Sequence, residues 1–93
     1  MRILTLLLMA ALVLPLLVAQ SKVDDRIYDE VRRKLANDPD VKGAAFEVAV
    51  KDGVVTLRGK VHNEKARDKA ERITKKIKGV VSVDNKLTLF GKD

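Results

Sequence analysis

Cysteine is absent from the 93 residues, histidine occurs once, as His62, and tryptophan not at all; Tyr28, Phe46 and Phe90 are the whole aromatic complement. Without thiols the chain forms neither a disulfide framework nor a cysteine-based zinc site, and a lipid-modified cysteine has no residue to form on. A lone imidazole does not assemble a nucleophile and its base: Ser21 falls in a flexible start and Ser82 on a strand, so His62 reads as a loop residue. Asp38 and Asp40 flank Pro39 and could attract a cation, but the pattern reads as a polar turn that stops a helix. With five glycines and two prolines the chain makes one small domain, with little volume for a deep active site. An enzyme is not expected, and neither is a cofactor or a metal. Nucleic-acid binding is not expected either. No two glycines have the Gly-x-x-Gly spacing that clamps a phosphate backbone, and the sheet lacks exposed aromatics for base stacking.

What is present begins with a targeting pattern. Met1-Arg2 precedes the apolar run Ile3–Ala19, interrupted by Pro15 and ending in a small residue, which is the layout of a secretory signal. Cleavage is expected after Ala19, giving an exported protein. Leu17 is large for the −3 position, so a cut after Ser21 or an uncleaved anchor are the alternatives; seventeen residues lie just under the roughly 20 that span a bilayer. The resulting plan is a signal peptide at 1–19, a flexible start at 20–22, a folded domain at 23–90 and a tail at 91–93. Removing residues 1–19 takes away only Arg2 among the charges, leaving 18 basic against 13 acidic residues, a net charge of +5 over 74 residues. An exported basic domain points to an anionic partner outside the cytoplasm.

The folded part is centred on Ala45–Val61, where Phe46, Val48 and Val50, then Val55, Leu57 and Val61, alternate on either side of Asp52-Gly53. That dipeptide is a strong hairpin signal, because a type I′ turn needs positive φ at both central residues, and Gly53 reaches it without strain. Before the hairpin, Val23, Ile27, Val31 and Leu35 recur every fourth residue, predicting a helix capped by Ser21 or Asp24 and ending near Asn37. Its acids precede Arg32, Arg33 and Lys34, an order the helix dipole explains. After the hairpin, Asn63 is set to cap a helix over Glu64–Lys78, with Ala66, Ala70, Ile73 and Ile77 as its apolar stripe and Gly79 as its terminator. Val80–Phe90 reads as a third strand with Val81, Val83, Leu87 and Leu89 on one face. The order αββαβ makes an α+β fold, two helices packed on one face of a three-stranded sheet.

One charge pattern lacks a stability explanation. Lys65, Lys69, Arg72 and Lys76 fall at intervals of four, three and four and share a face of the second helix. Cations in the first half of a helix are not favoured by its dipole. The strip is the candidate face for an anionic partner; against it stands a solvated face laced by pairs such as Asp68–Arg72 and Glu71–Lys75.

These residues also carry a resemblance. Gly53-Val54-Val55-x-Leu57-x-Gly59-x-Val61, a helix with Ala66, Ala70 and Ile73, and then Gly79-Val80-Val81-Ser82-Val83-Asp84-Asn85-x-Leu87 resemble the BON domain, named from bacterial osmotically inducible and nodulation proteins. The resemblance covers about Val23 to Leu89. It implies the αββαβ fold, structural roles for Gly53, Gly59 and Gly79, an exported, periplasmic protein of a bacterial envelope and attachment to phospholipid membranes, without catalysis; with the basic charge of this chain the surface expected is anionic, and Lys65, Lys69, Arg72 and Lys76 are the candidate lipid-binding residues. The function expected is support of envelope integrity or osmotic tolerance. A small module that binds an envelope protein through an exposed sheet edge is the alternative.

Overall fold

The computed structural model describes residues 2–42 and 44–91, with side chains described from residue 19 onward. Its elements are α1 (Arg2–Asn37), β1 (Ala45–Lys51), β2 (Val54–Val61), α2 (Glu64–Lys75) and β3 (Ser82–Leu89). β2 is central, antiparallel to β1 and parallel to β3, with α2 as the crossover that a parallel pair requires. The αββαβ, α+β architecture is the one the residue pattern predicts.

The sheet register explains the core. Val50, Val55 and Val83 form one cross-strand row, Phe46, Gly59 and Leu87 another, and Val61 stands beside Leu89, all on the helix-covered face. α1 packs on β1 and α2 on β3. Ile27, Val31 and Leu35 from α1 meet Val55, Leu57 and Val61 with no side-chain exposure. Burying each such side chain contributes about 1.5–3 kcal/mol. The row Val48–Leu57–Asn85 places a polar residue on this apolar face. Asn85 resolves the conflict by donating from Nδ2 to the Arg67 carbonyl of α2 at 3.0 Å, while its Oδ1 accepts from the Leu87 N–H at 3.1 Å. Ala66 and Ala70 let α2 approach closely enough for this bond.

The hairpin is the two-residue turn the sequence predicts: Lys51 pairs with Val54, and Asp52 and Gly53 have φ of +53° and +79°. Gly59 is strict for a different reason. Its φ is +128°, and a Cβ there would run into the Ala45 carbonyl oxygen and stand 2.7 Å from the Phe46 Cα.

Several boundaries depart from the expectations. The first helix does not begin at Ser21 or Asp24, and residues 20–22 are helical. Its turns run unbroken from Arg2, so the N–H groups near Ser21 already have partners in the preceding turn and need no cap. The side chains of residues 2–18, and with them the basis for a signal peptide cleaved after Ala19, lie outside the described residues, as do Lys92 and Asp93 of the tail. α2 ends at Lys75 rather than Lys78; the next turn is tightened by the Lys76 N–H to the Ile73 carbonyl and the Ile77 N–H to the Thr74 carbonyl, before Gly79 at φ +96°. Thr74 lies fully buried because its Oγ1 donates to the Ala70 carbonyl at 2.8 Å, leaving Ile73 only partly covered. β3 starts at Ser82, and Val81 does not share the face of Val83. Its N–H is held by the Gly53 carbonyl at 2.9 Å, outside the strand ladder, which leaves its side chain 75% exposed.

Candidate functional site

Asn63 starts α2 by accepting the Ala66 N–H on its Oδ1 at 2.8 Å; the helix then carries Lys65, Lys69 and Arg72, with Lys76 as its C-cap residue beside the end of α1. The four differ in what surrounds them. Lys69 Nζ donates to Asp40 Oδ2 at 2.6 Å and stands 3.1 Å from Asp38 Oδ2. Lys65 is mostly exposed, with Nζ 3.8 Å from Asp40 Oδ1. The Asp38-Pro39-Asp40 turn is thus a clamp on α2. Asp38 Oδ1 also accepts the N–H groups of Asp40 and Val41, at 2.9 and 3.2 Å, which turns the chain inward and buries Val41.

The charges respond to this arrangement. The hydrogen bond from Lys69 holds the Asp40 carboxyl below the ordinary range, against partial desolvation. Desolvation pushes Asp38 upward, but the Lys69 hydrogen bond and charge, with the backbone N–H groups, outweigh it and bring its pKa down. Lys69 is raised by its bonds to Asp40 and then Asp38. Farther along, the Lys75 hydrogen bond lowers Glu71, the two charges standing 3.0 Å apart as an i,i+4 pair. Asp68 lies 3.8 Å from Arg67 Nε.

Arg72 and Lys76 are exposed, and their side chains form no ion pair among the described residues. An open groove of about 440 Å³ is lined by Arg33, Lys34 and Asn37 of α1, by Asp38 and Pro39, by Ile73 of α2 and by Lys76, the C-cap residue that follows it. The cations Arg33 and Lys34, explained in sequence by the dipole of one helix, therefore share a surface with Lys76. Sequence periodicity shows the strip within α2. It does not show that the end of α1 extends the strip and neutralises Lys69.

The groups with chemical potential lie apart. Ser82 pairs with Val54 at one end of β2, and His62 follows Val61 at the other, about 23 Å away at roughly 3.3 Å per residue. His62 lies against Phe90, with ring centroids 4.9 Å apart. Tyr28 receives a hydrogen bond from Arg32 Nη1 at 3.1 Å, and Phe46 packs against the core.

Asp24 is the functional-looking acid that local sequence misplaces. As part of a helix interior it is free to reach across: Oδ2 accepts the Asp52 N–H at 2.9 Å and Oδ1 the Gly53 N–H at 3.0 Å. Arg26 Nη2 donates to the Lys78 carbonyl at 2.6 Å. One turn of α1 thereby ties down both the hairpin and the loop that enters β3. Partners 28 and 52 residues away leave no local signal.

Two helices on one face of a β1-β2-β3 sheet, with glycine turns at Gly53 and Gly79 and Asn85 joining β3 to α2, define a small αββαβ domain. The BON domain model matches residues 23–89, and the chain belongs to the BON domain family. Osmotically-inducible protein Y of Escherichia coli (strain K12) is 39% identical over 64 residues, covering 69% of this chain and 32% of that protein. The chain thus spans about a third of the length of the curated relative it matches.

Proposed function

We propose that this chain is a non-enzymatic domain exported to a bacterial envelope, where it attaches to anionic phospholipid surfaces and supports envelope integrity under osmotic stress. Membership of the BON family supports the class, and the name of the E. coli relative supports the link to osmotic conditions. The observation that carries the lipid reading is the convergence of Arg33 and Lys34 with Lys76 on one groove, with Arg72 one turn earlier in the chain than Lys76 and all four exposed. Lys65 extends this surface. Lys69 belongs to the proposed face only through its neighbours, since its own charge is matched by Asp38 and Asp40.

Each cation near an anionic bilayer contributes about 1 kcal/mol, so four contribute on the order of 4 kcal/mol before screening. That suits weak, salt-sensitive, peripheral attachment. The second reading, a protein-docking module, rests on the outer edges of β1 and β3, which the strand order leaves unpaired within this sheet. Co-sedimentation with phosphatidylcholine vesicles, with and without phosphatidylglycerol, separates the two. Attachment that requires the anionic lipid supports the membrane reading, and failure to bind either vesicle favours the sheet-edge reading.

A further inference from the structure

At the end of the domain where α1 passes the hairpin, three valines face solvent: Val81 at 75%, Val23 at 42% and Val54 at 39% exposure. Val23 and Val81 line one notch, and Val54 follows the Gly53 that Val81 lies against. A Cβ on Gly53, the residue before Val54, would stand 2.8 Å from Val81 Cγ2, and one on Gly79 would stand 3.5 Å from Val23 Cγ1. A notch of about 300 Å³ lies between Val23 and Val81, lined also by Ala19, Gln20, Asp24, Asp52, Gly53 and Gly79. The support beneath is firm: the Val81 N–H is bonded to the Gly53 carbonyl, Asp24 holds both N–H groups of the hairpin turn, and Arg26 holds the Lys78 carbonyl. A rigid mount that displays valine to water contributes nothing to the core, where Val31, Val41, Val55 and Val61 are all but fully covered.

We infer that this tip is the part of the domain that enters the bilayer interface, with an anionic phospholipid surface as its occupant; the inference rests on the membrane reading proposed above. Charge selects the occupant. Lys22 beside Val23, Lys51 paired with Val54, and Lys78 before Gly79 are exposed, and their side chains form no ion pair among the described residues. Of the carboxylates at the turn, Asp24 is already bonded to the hairpin backbone and Asp52 stands at the apex. Apolar side chains ringed by lysines match a boundary between acyl chains and anionic headgroups, where a stem lies along apolar material and its ammonium reaches phosphate. The backbone points the same way: α1 continues from this end into the segment whose sequence is the apolar run Ile3–Ala19, so a retained run and the tip would meet the same membrane. The basic groove then acts at longer range, and the valines orient the domain.

The chain has no cysteine, so single labels are unambiguous. Val81→Cys and, at the opposite end of the sheet, Thr88→Cys are each labelled with an environment-sensitive fluorophore in protein recovered from the envelope. Each is mixed with phosphatidylcholine vesicles with or without phosphatidylglycerol. The expected result is a blue shift and quenching by lipid-borne quencher at position 81, only with phosphatidylglycerol, and no change at position 88. Val81→Asp, exposed and so neutral to folding, lowers the fraction bound about tenfold. An aqueous label at position 81 on protein that sediments with anionic vesicles overturns the tip and leaves the membrane reading standing. Protein that does not sediment with anionic vesicles at all overturns both.

Discussion

Replacing Gly59 by alanine places a methyl group against backbone that has nowhere to go. The methyl meets the Ala45 carbonyl oxygen, the Ala45 carbonyl carbon at 2.9 Å and the Phe46 Cα at 2.7 Å, all on the neighbouring strand. Flexible side chains could swing aside; paired backbone cannot, so the start of β1 must lift off β2. Holding alanine at φ +128° costs about 1–3 kcal/mol by itself. Losing the Ala45–Lys60 and Phe46–Gly59 pairings, and part of the cover over Phe46, adds about 1–2 kcal/mol. The sum is on the order of 2–5 kcal/mol, against roughly 3–10 kcal/mol of total stability for a domain of this size. Thermal melts followed by circular dichroism should show Gly59→Ala lowered by about 8 °C or more. Gly91→Ala is the matched control, because φ there is also positive, at +80°, yet its added methyl meets nothing within 4 Å. A Gly59→Ala protein that melts within about 5 °C of wild type would refute the claim that strand contact, rather than turn chemistry, fixes this glycine.

Asp24→Ala should remove the clamp on the hairpin turn at a cost of about 1–2 kcal/mol, seen as a melting temperature lower by roughly 5–10 °C and faster amide exchange at Asp52 and Gly53. An N-cap role would instead leave exchange at the hairpin unchanged. Because the Asp38 and Asp40 pKa values are lowered in the folded state, their contribution is complete above the ordinary carboxylate range near 4 and is lost as pH falls through the lowered folded values. Lys69, raised by the same contacts, contributes fully below about 10.5 and loses that contribution as pH rises through its higher folded value. Urea melts against pH should show both limbs, and Lys69→Met should flatten them.

The parts of the fold carried by local rules were legible. Asp52-Gly53 announces its turn because only a narrow set of residues tolerates two consecutive positive φ values. The alternation through Phe46, Val48, Val50, Val55 and Leu57 announces the buried face because strand side chains point to opposite sides. Long-range geometry was not legible: Val41 becomes core only because Asp38 turns the chain inward, and Asn85 sits on the apolar face only because the Arg67 carbonyl meets it there. The same limit applies to the site. The intervals of Lys65, Lys69, Arg72 and Lys76 define a strip on any helix, but which lysine is matched depends on Asp38 and Asp40, some 30 residues earlier. Asp24 looks like a cap because acids are common at helix starts; its partners lie on the hairpin.

The central claim is that charge on this domain recognises an anionic membrane. Protein recovered from the envelope fraction, wild type and Arg33→Gln/Lys34→Gln/Arg72→Gln/Lys76→Gln, is measured for partition onto phosphatidylcholine vesicles with and without phosphatidylglycerol across a salt series. Lys69 is left intact so that the α1–α2 clamp persists. Wild type should gain affinity with phosphatidylglycerol and lose that gain as salt shortens the screening length, and removal of the four cations should abolish most of it at low salt. Equal partition onto both vesicles at every salt concentration, or a four-fold variant indistinguishable from wild type, would contradict the claim.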